Sequence, residues 1–234
     1  MLIPSQSWGE DIAIDSSFVK LNLDSIKQNI AHYNVKIIAV TKYFGLKAIK
    51  AGYEAGIRDF AESRALEAIE KIEQLPQEIR ENSTFHFIGH LQSNKADKVV
   101  KHFDVIQSVD SLKIASAISK AACSLNKRER ILLQVNNAGE EQKSGYSKEQ
   151  LRKEIGDILS LEGVEVIGLM NMAPLGASED ELTRLFKDMR EFKDELEKSS
   201  NITLKELSMG MSDDYKVAVK EGATMVRIGR KLFT

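Results

Sequence analysis

Lys42 closes the apolar run KIIAVTK and follows Ile38 and Val40 at a spacing of two, so in a strand all three share one face. If that face lines the inside of a barrel, Lys42 stands at its mouth, where an amine can attack a carbonyl and hold it as a Schiff base. Taken alone, the residue fits better a lysine that turns out to solvent at a strand end. A second group of residues sits near the end of the chain. SMGMSDD (208–214) puts Ser208 ahead of Gly210, and VRIGR (226–230) puts Gly229 and Arg230 after a β-branched run. Glycines allow close backbone approach, and amides at a helix start bind phosphate. Ser208 adds a hydroxyl and Arg230 a cation. The same glycines would also serve as plain tight turns.

Other candidates are more ambiguous. Arg227 shares parity with Met225, and an arginine inside a barrel strand needs a partner, because an unpaired buried charge is costly. Glu62 could supply a structural ion pair. His86 and His90 are four apart, but they span a strand end and a glycine turn instead of a helix face, so no metal site is expected. His86 reads as a satisfied polar histidine lining the mouth. Cys123 is the single cysteine; it rules out an internal disulfide framework, fits a reducing cytoplasm and reads as a small buried apolar side chain.

Eight short runs alternate with charged amphipathic segments: 36–42, 58–62, 84–88, 105–108, 131–136, 164–170, 204–208 and 224–228. Strand and helix in strict alternation predict an all-parallel sheet, and eight units in 234 residues close naturally as a (β/α)8 TIM barrel; an open doubly wound sheet is the alternative. No long helix follows the eighth strand, but SIKQNIAHY precedes the first and can fill the gap in the outer ring. Ser111 and Ser147 are placed to cap helices, Gly56 and Gly222 to close them, and Asp213 and Asp214 to sit in a first helical turn. With no Gly/Ser linker or low-complexity tract, residues 1–234 read as one domain.

A net charge of −2, with 42% hydrophobic and 29% charged residues, excludes a basic nucleic-acid binder and a solvated acidic tail. The N-terminal MLIPSQSWGEDIAIDSS lacks a basic and an apolar region of signal-peptide type, and no run is long enough to cross a bilayer, so a cytoplasmic protein is expected.

Six blocks in order carry a family likeness: AVTK (39–42), FHFIGHLQSNK (85–95), KSG (143–145), GLMNM (168–172), LSMGMSDD (207–214) and VRIG (226–229). From about residue 36 to 233 the chain resembles the pyridoxal 5′-phosphate (PLP) homeostasis proteins of the YggS/PROSC type. The resemblance implies a barrel like the alanine racemase N-terminal domain, standing without a second domain, with PLP as a Schiff base on Lys42. It implies that Ser208 and the amides around Gly210 and Gly229 hold the phosphate, and that Arg227 faces the pyridine nitrogen. A permanent cation there disfavours ring protonation and weakens the ring as an electron sink. Ser63, His86 and Arg230 complete the expected cofactor set. Two of these depart from the family pattern. Ser63 stands in Ala61-Glu62-Ser63, where Gly-Glu-Asn is usual, and Arg230 replaces a small hydroxyl residue, though its amide can still serve phosphate.

The implied function is that of a monomeric PLP carrier or regulator in amino- and keto-acid balance, with apo-PLP enzymes or a regulatory protein as partners and no catalytic residues. Two enzyme readings stand beside it. One is a weak amino-acid racemase with His86 as second base; the other is a barrel enzyme acting on a phosphorylated substrate through Lys42 without PLP.

Overall fold

All eight runs form parallel strands in the computed structural model, which describes residues 14–140 and 144–234. They are β1 Lys36–Val40, β2 Asp59–Glu62, β3 Thr84–Phe87, β4 Val105–Val109, β5 Glu129–Gln134, β6 Val164–Met170, β7 Glu206–Ser208 and β8 Met225–Ile228. Each strand pairs with the next, and β8 returns to β1 with Arg227 opposite Ile38, so the sheet closes and has no edge. The closed barrel excludes the open-sheet alternative. The expected leaderless N-terminus (1–13) and Lys143 of the KSG block lie outside the described residues.

The outer ring opens with α1 Ser16–Asn29, α2 Leu46–Glu54, α3 Ala65–Glu73, α4 Gln77–Glu81 and α5 Ala96–His102. It continues with α6 Leu112–Ser124, α7 Lys148–Leu159, α8 Glu179–Ser200, α9 Tyr215–Lys220 and α10 Arg230–Phe233. Their ends follow local chemistry. Ser111 caps α6, while Ser147 and Ser178 open α7 and α8 with capping boxes completed by Gln150 and Glu181. Gly56 and Gly222 take left-handed conformations after α2 and α9. Since α10 has only four residues, α1 lies beside it, and Asn22 Nδ2 donates to the Leu232 carbonyl at 3.1 Å. The gap after the eighth strand is filled as expected.

Several details differ from the sequence expectation. The first helix starts earlier, at Ser16, because Asp15 accepts from the Ser17 amide and caps it. Asp213 and Asp214 precede α9 instead of entering its first turn; Asp214 accepts from the Met211 amide and so braces the loop. Cys123 is exposed, because Ala121 and Ala122 take the inner face of α6.

Side chains alternate between the two faces of the barrel wall, with register shifts in β4 and β6. Ile38, Ala61 and Met225 pack inside the barrel with Val40 and Ile88, and Val105, Leu132 and Met170 form a second inner cluster. Ala39, Phe60, Phe87, Ile106 and Val226 belong to the larger core between barrel and helices. The inner positions left by the two small clusters are polar, and they build the site.

Candidate functional site

The strand β1 ends at Val40, two residues before the expected end, because the chain turns after the Thr41 amide makes a last bond to the Ala61 carbonyl of β2. Phe44 N–H donates back to Thr41 O at 2.9 Å, making Lys42 the second residue of a four-residue turn at the barrel mouth. Lys42 is half-buried, with Nζ 4.9 Å from the centre of the Tyr43 ring. Under this turn, Glu62 Oε1 accepts from Thr41 Oγ1 at 2.7 Å and from Lys71 Nζ at 2.5 Å. Burial raises the Glu62 pKa, and the Lys71 ammonium opposes that shift. Glu62 has the parity of Phe60 and faces the helices, while Arg227 faces the barrel interior. The ion pair considered between them therefore does not form.

Arg227 is 3% exposed. Its guanidinium donates to Ser208 Oγ and to the Asn171 carbonyl, each at 2.7 Å. Among the described residues no carboxylate lies within ion-pair reach of it. Burial pulls its pKa down to about 10, with Asp214 partly offsetting, so it stays charged at neutral pH. The contacts continue inward. Ser208 Oγ donates to Gln107 Oε1 (2.7 Å), Gln107 Nε2 meets His86 Nδ1 (3.0 Å), and His86 Nε2 meets Asp59 Oδ1 (3.0 Å). Burial lowers the His86 pKa against the pull of Asp59, which favours the neutral ring. A neutral ring with its proton on Nε2 lets every donor point the same way, from the Arg227 cation to the Asp59 anion. Aligned donors polarise one another in such a buried chain.

His86 is thus fully buried in the interior, not at the mouth, and both its nitrogens are engaged. That satisfies the polar-histidine reading and removes the free base that a racemase would need from it. His90 is exposed and lies 3.6 Å from Asp110. Ser63 is half-buried in the loop after β2. Gly89 packs on it so tightly that a Cβ would fall 1.9 Å from the Ser63 carbonyl oxygen.

The loops after β7 and β8 meet at the same mouth. Gly210 has φ +92°, and a Cβ there would fall 2.6 Å from Ala218 Cβ, so the loop runs directly over α9. Among the described residues, no backbone oxygen accepts from the amides of Gly210, Gly229 or Arg230. Ser212, in the loop after β7, is half-buried. The Arg230 side chain is exposed and reaches Asp213 at 3.4 Å, a solvent pair of little energy.

Sequence reasoning missed Gln107 and Lys71. Gln107 had a signal: it is the lone amide at an inward position of β4, in line with Val105. Asn171 holds Arg227 through its carbonyl and donates through Nδ2 to Asn137 Oδ1 at 3.0 Å. Its own Oδ1 is buried without a hydrogen-bond partner among the described residues. An amine, a buried cation, unpaired amides and an orphaned amide oxygen at one mouth fit an aldehyde-bearing phosphate ligand with a polar ring.

Residues 14–234 match the family of the alanine racemase N-terminal domain. Alanine racemase of Clostridium difficile superposes with a TM-score of 0.74 at 18% identity, covering 94% of this chain and 57% of that one, a likeness of fold alone. Closer relatives are more specific. The pyridoxal phosphate homeostasis protein of Synechocystis sp. is 44% identical over 200 residues, which is 86% of this chain and 91% of that protein. PipY of Synechococcus elongatus, solved with PLP bound, has a TM-score of 0.84 and 39% identity, covering 92% of this chain and 100% of that one. The chain belongs to the pyridoxal phosphate homeostasis proteins, a family built on the alanine racemase N-terminal fold.

Proposed function

We propose that this protein binds PLP at the barrel mouth, holds it as a Schiff base on Lys42 and passes it to apo-PLP enzymes or a regulatory protein, acting as a cytoplasmic monomer. The observation that carries the reading is Arg227: a buried cation bonded, among the described residues, only to neutral groups, on the strand beside the one that ends in the Lys42 turn. PLP supplies an aldehyde for the amine and, when its ring nitrogen is protonated, an electron sink. Arg227 facing that nitrogen keeps it unprotonated, which suits retention better than turnover. The binding of PLP by PipY supports the same assignment. Among the described residues no helix is long and apolar enough to cross a membrane.

Gly210, Gly229 and Arg230 offer amides to the phosphate. Ser208 is committed to Arg227 and Gln107, which supports Ser212 as the phosphate hydroxyl and gives Ser208 the role of fixing the guanidinium. Ser212→Ala is then expected to weaken PLP retention about tenfold, near the 1.5 kcal/mol of one charge-assisted bond. Ser208→Ala instead should cost about 1–3 kcal/mol of stability, because Arg227 loses an acceptor and Gln107 a donor inside the barrel. Equilibrium dialysis and urea unfolding separate the two; unaltered retention in Ser212→Ala would place the phosphate elsewhere.

The carrier role is tested by mixing loaded protein with an apo-PLP enzyme while a scavenger removes free PLP. Reactivation despite the scavenger is expected. Reactivation abolished by the scavenger would reduce the protein to a passive buffer, and sustained α-proton exchange of amino acids by the loaded protein would make it an enzyme.

A further inference from the structure

We infer that Lys71 is a positioning residue for Lys42: from α3 it clamps both carbonyls that bracket the Lys42 turn, with Glu62 as its anchor. The inference rests on the reading that Lys42 carries PLP. An ammonium has three N–H donors, and Lys71 Nζ has three acceptors: Thr41 O at 3.1 Å, Phe44 O at 3.0 Å and Glu62 Oε1 at 2.5 Å. Glu62 also accepts from Thr41 Oγ1, so the first residue of the turn is held at its carbonyl and at its side chain. The side chains of Lys71 and Glu62 are only 17% and 2% exposed.

Burying an ion pair costs desolvation that a turn does not need, because the Phe44 amide already closes this one onto Thr41. What the pair adds is a fixed tilt of the turn against the barrel. Four rotatable side-chain bonds separate Cα from Nζ in Lys42, so the direction of its backbone decides which positions the amine can reach. The pair is neutral overall and places no net charge beside an amine that must be uncharged to react. When Lys42 Nζ joins the aldehyde carbon, a C=N bond replaces C=O, and the oxygen leaves as water with the two amine protons. Orientation of the amine is what the clamp contributes to that step.

Two ligands separate positioning from general structure. PLP reports the covalent step through its near-visible band in stopped flow, whereas pyridoxine 5′-phosphate has no aldehyde and reports only the ring and phosphate contacts. In Lys71→Met the band should appear roughly 10- to 100-fold more slowly, with affinity for pyridoxine 5′-phosphate within about twofold of wild type, less than 0.5 kcal/mol. Lys71→Arg, which keeps charge and donors, should recover much of the rate. Glu62→Gln should fall between them.

A wild-type rate in Lys71→Met, or an equal loss of affinity for both ligands, would overturn the inference. If Lys71→Met fails to fold, Lys71→Arg and Glu62→Gln decide, and wild-type rates in both would overturn it. A wild-type protein that forms no band would overturn the PLP reading instead, and this role with it.

Discussion

Arg227→Ala is expected to keep the covalent link to Lys42, change the absorption of the bound cofactor and lower stability by roughly 3 kcal/mol. The stability loss has an identifiable source. Without the guanidinium, the Asn171 carbonyl and Ser208 Oγ lose their donor in a barrel interior where water does not readily replace it. Relief from burying a cation, whose pKa burial has already lowered to about 10, offsets part of this cost. The spectral change follows from charge: with no cation opposite, the ring nitrogen can take a proton. Urea unfolding of the apo form and a pH titration of the loaded form measure the two effects. An unchanged spectrum with unchanged PLP affinity would remove Arg227 from the ring-nitrogen role.

Lys42→Ala is expected to abolish the near-visible band while leaving the fold intact. The turn does not depend on the Lys42 side chain, since Phe44 N–H and Lys71 hold its backbone and Glu62 holds the Thr41 hydroxyl. Stability should therefore change by no more than about 0.5 kcal/mol, as for substitutions away from buried contacts. The amides at Gly210 and Gly229 and the Arg227 guanidinium remain, so PLP should still bind, but without the covalent link its retention should fall at least tenfold, about 1.4 kcal/mol. Gel filtration of protein pre-equilibrated with PLP checks both parts. A variant that keeps the band would locate the carbonyl on another amine.

The barrel could be read from the sequence because its signals are local. Runs such as KIIAV and MVRI alternate with helical segments opened by Ser111, Ser147 and Ser178, and each of those cues acts within a few residues. Lys42, Gly210, Arg227 and Gly229 stood out for the same reason, lying at the ends of β-branched runs. What escaped were contacts between distant positions. Ser208 meets Gln107 across 101 residues, and Lys71 meets Thr41 across 30. Such pairings depend on which strands become neighbours once the barrel closes, so Ser208 read as a phosphate hydroxyl and Lys71 drew no reading of its own. His86 was placed at the mouth, but it stands in register with Ala61 and with Val105 at the start of β4. Its side chain points inward and is held there on Asp59 and Gln107, contacts that sequence does not show. Glu62 was offered to Arg227 without a parity check that would have turned it to the other face.

The most direct test of the account is borohydride reduction of the PLP-loaded protein followed by peptide mapping. Reduction makes a Schiff base permanent, so the account predicts one phosphopyridoxyl group per chain, on the peptide containing Lys42, and none in Lys42→Ala. Label on Lys71 or any other lysine, or no label on a protein that retains PLP, would contradict it.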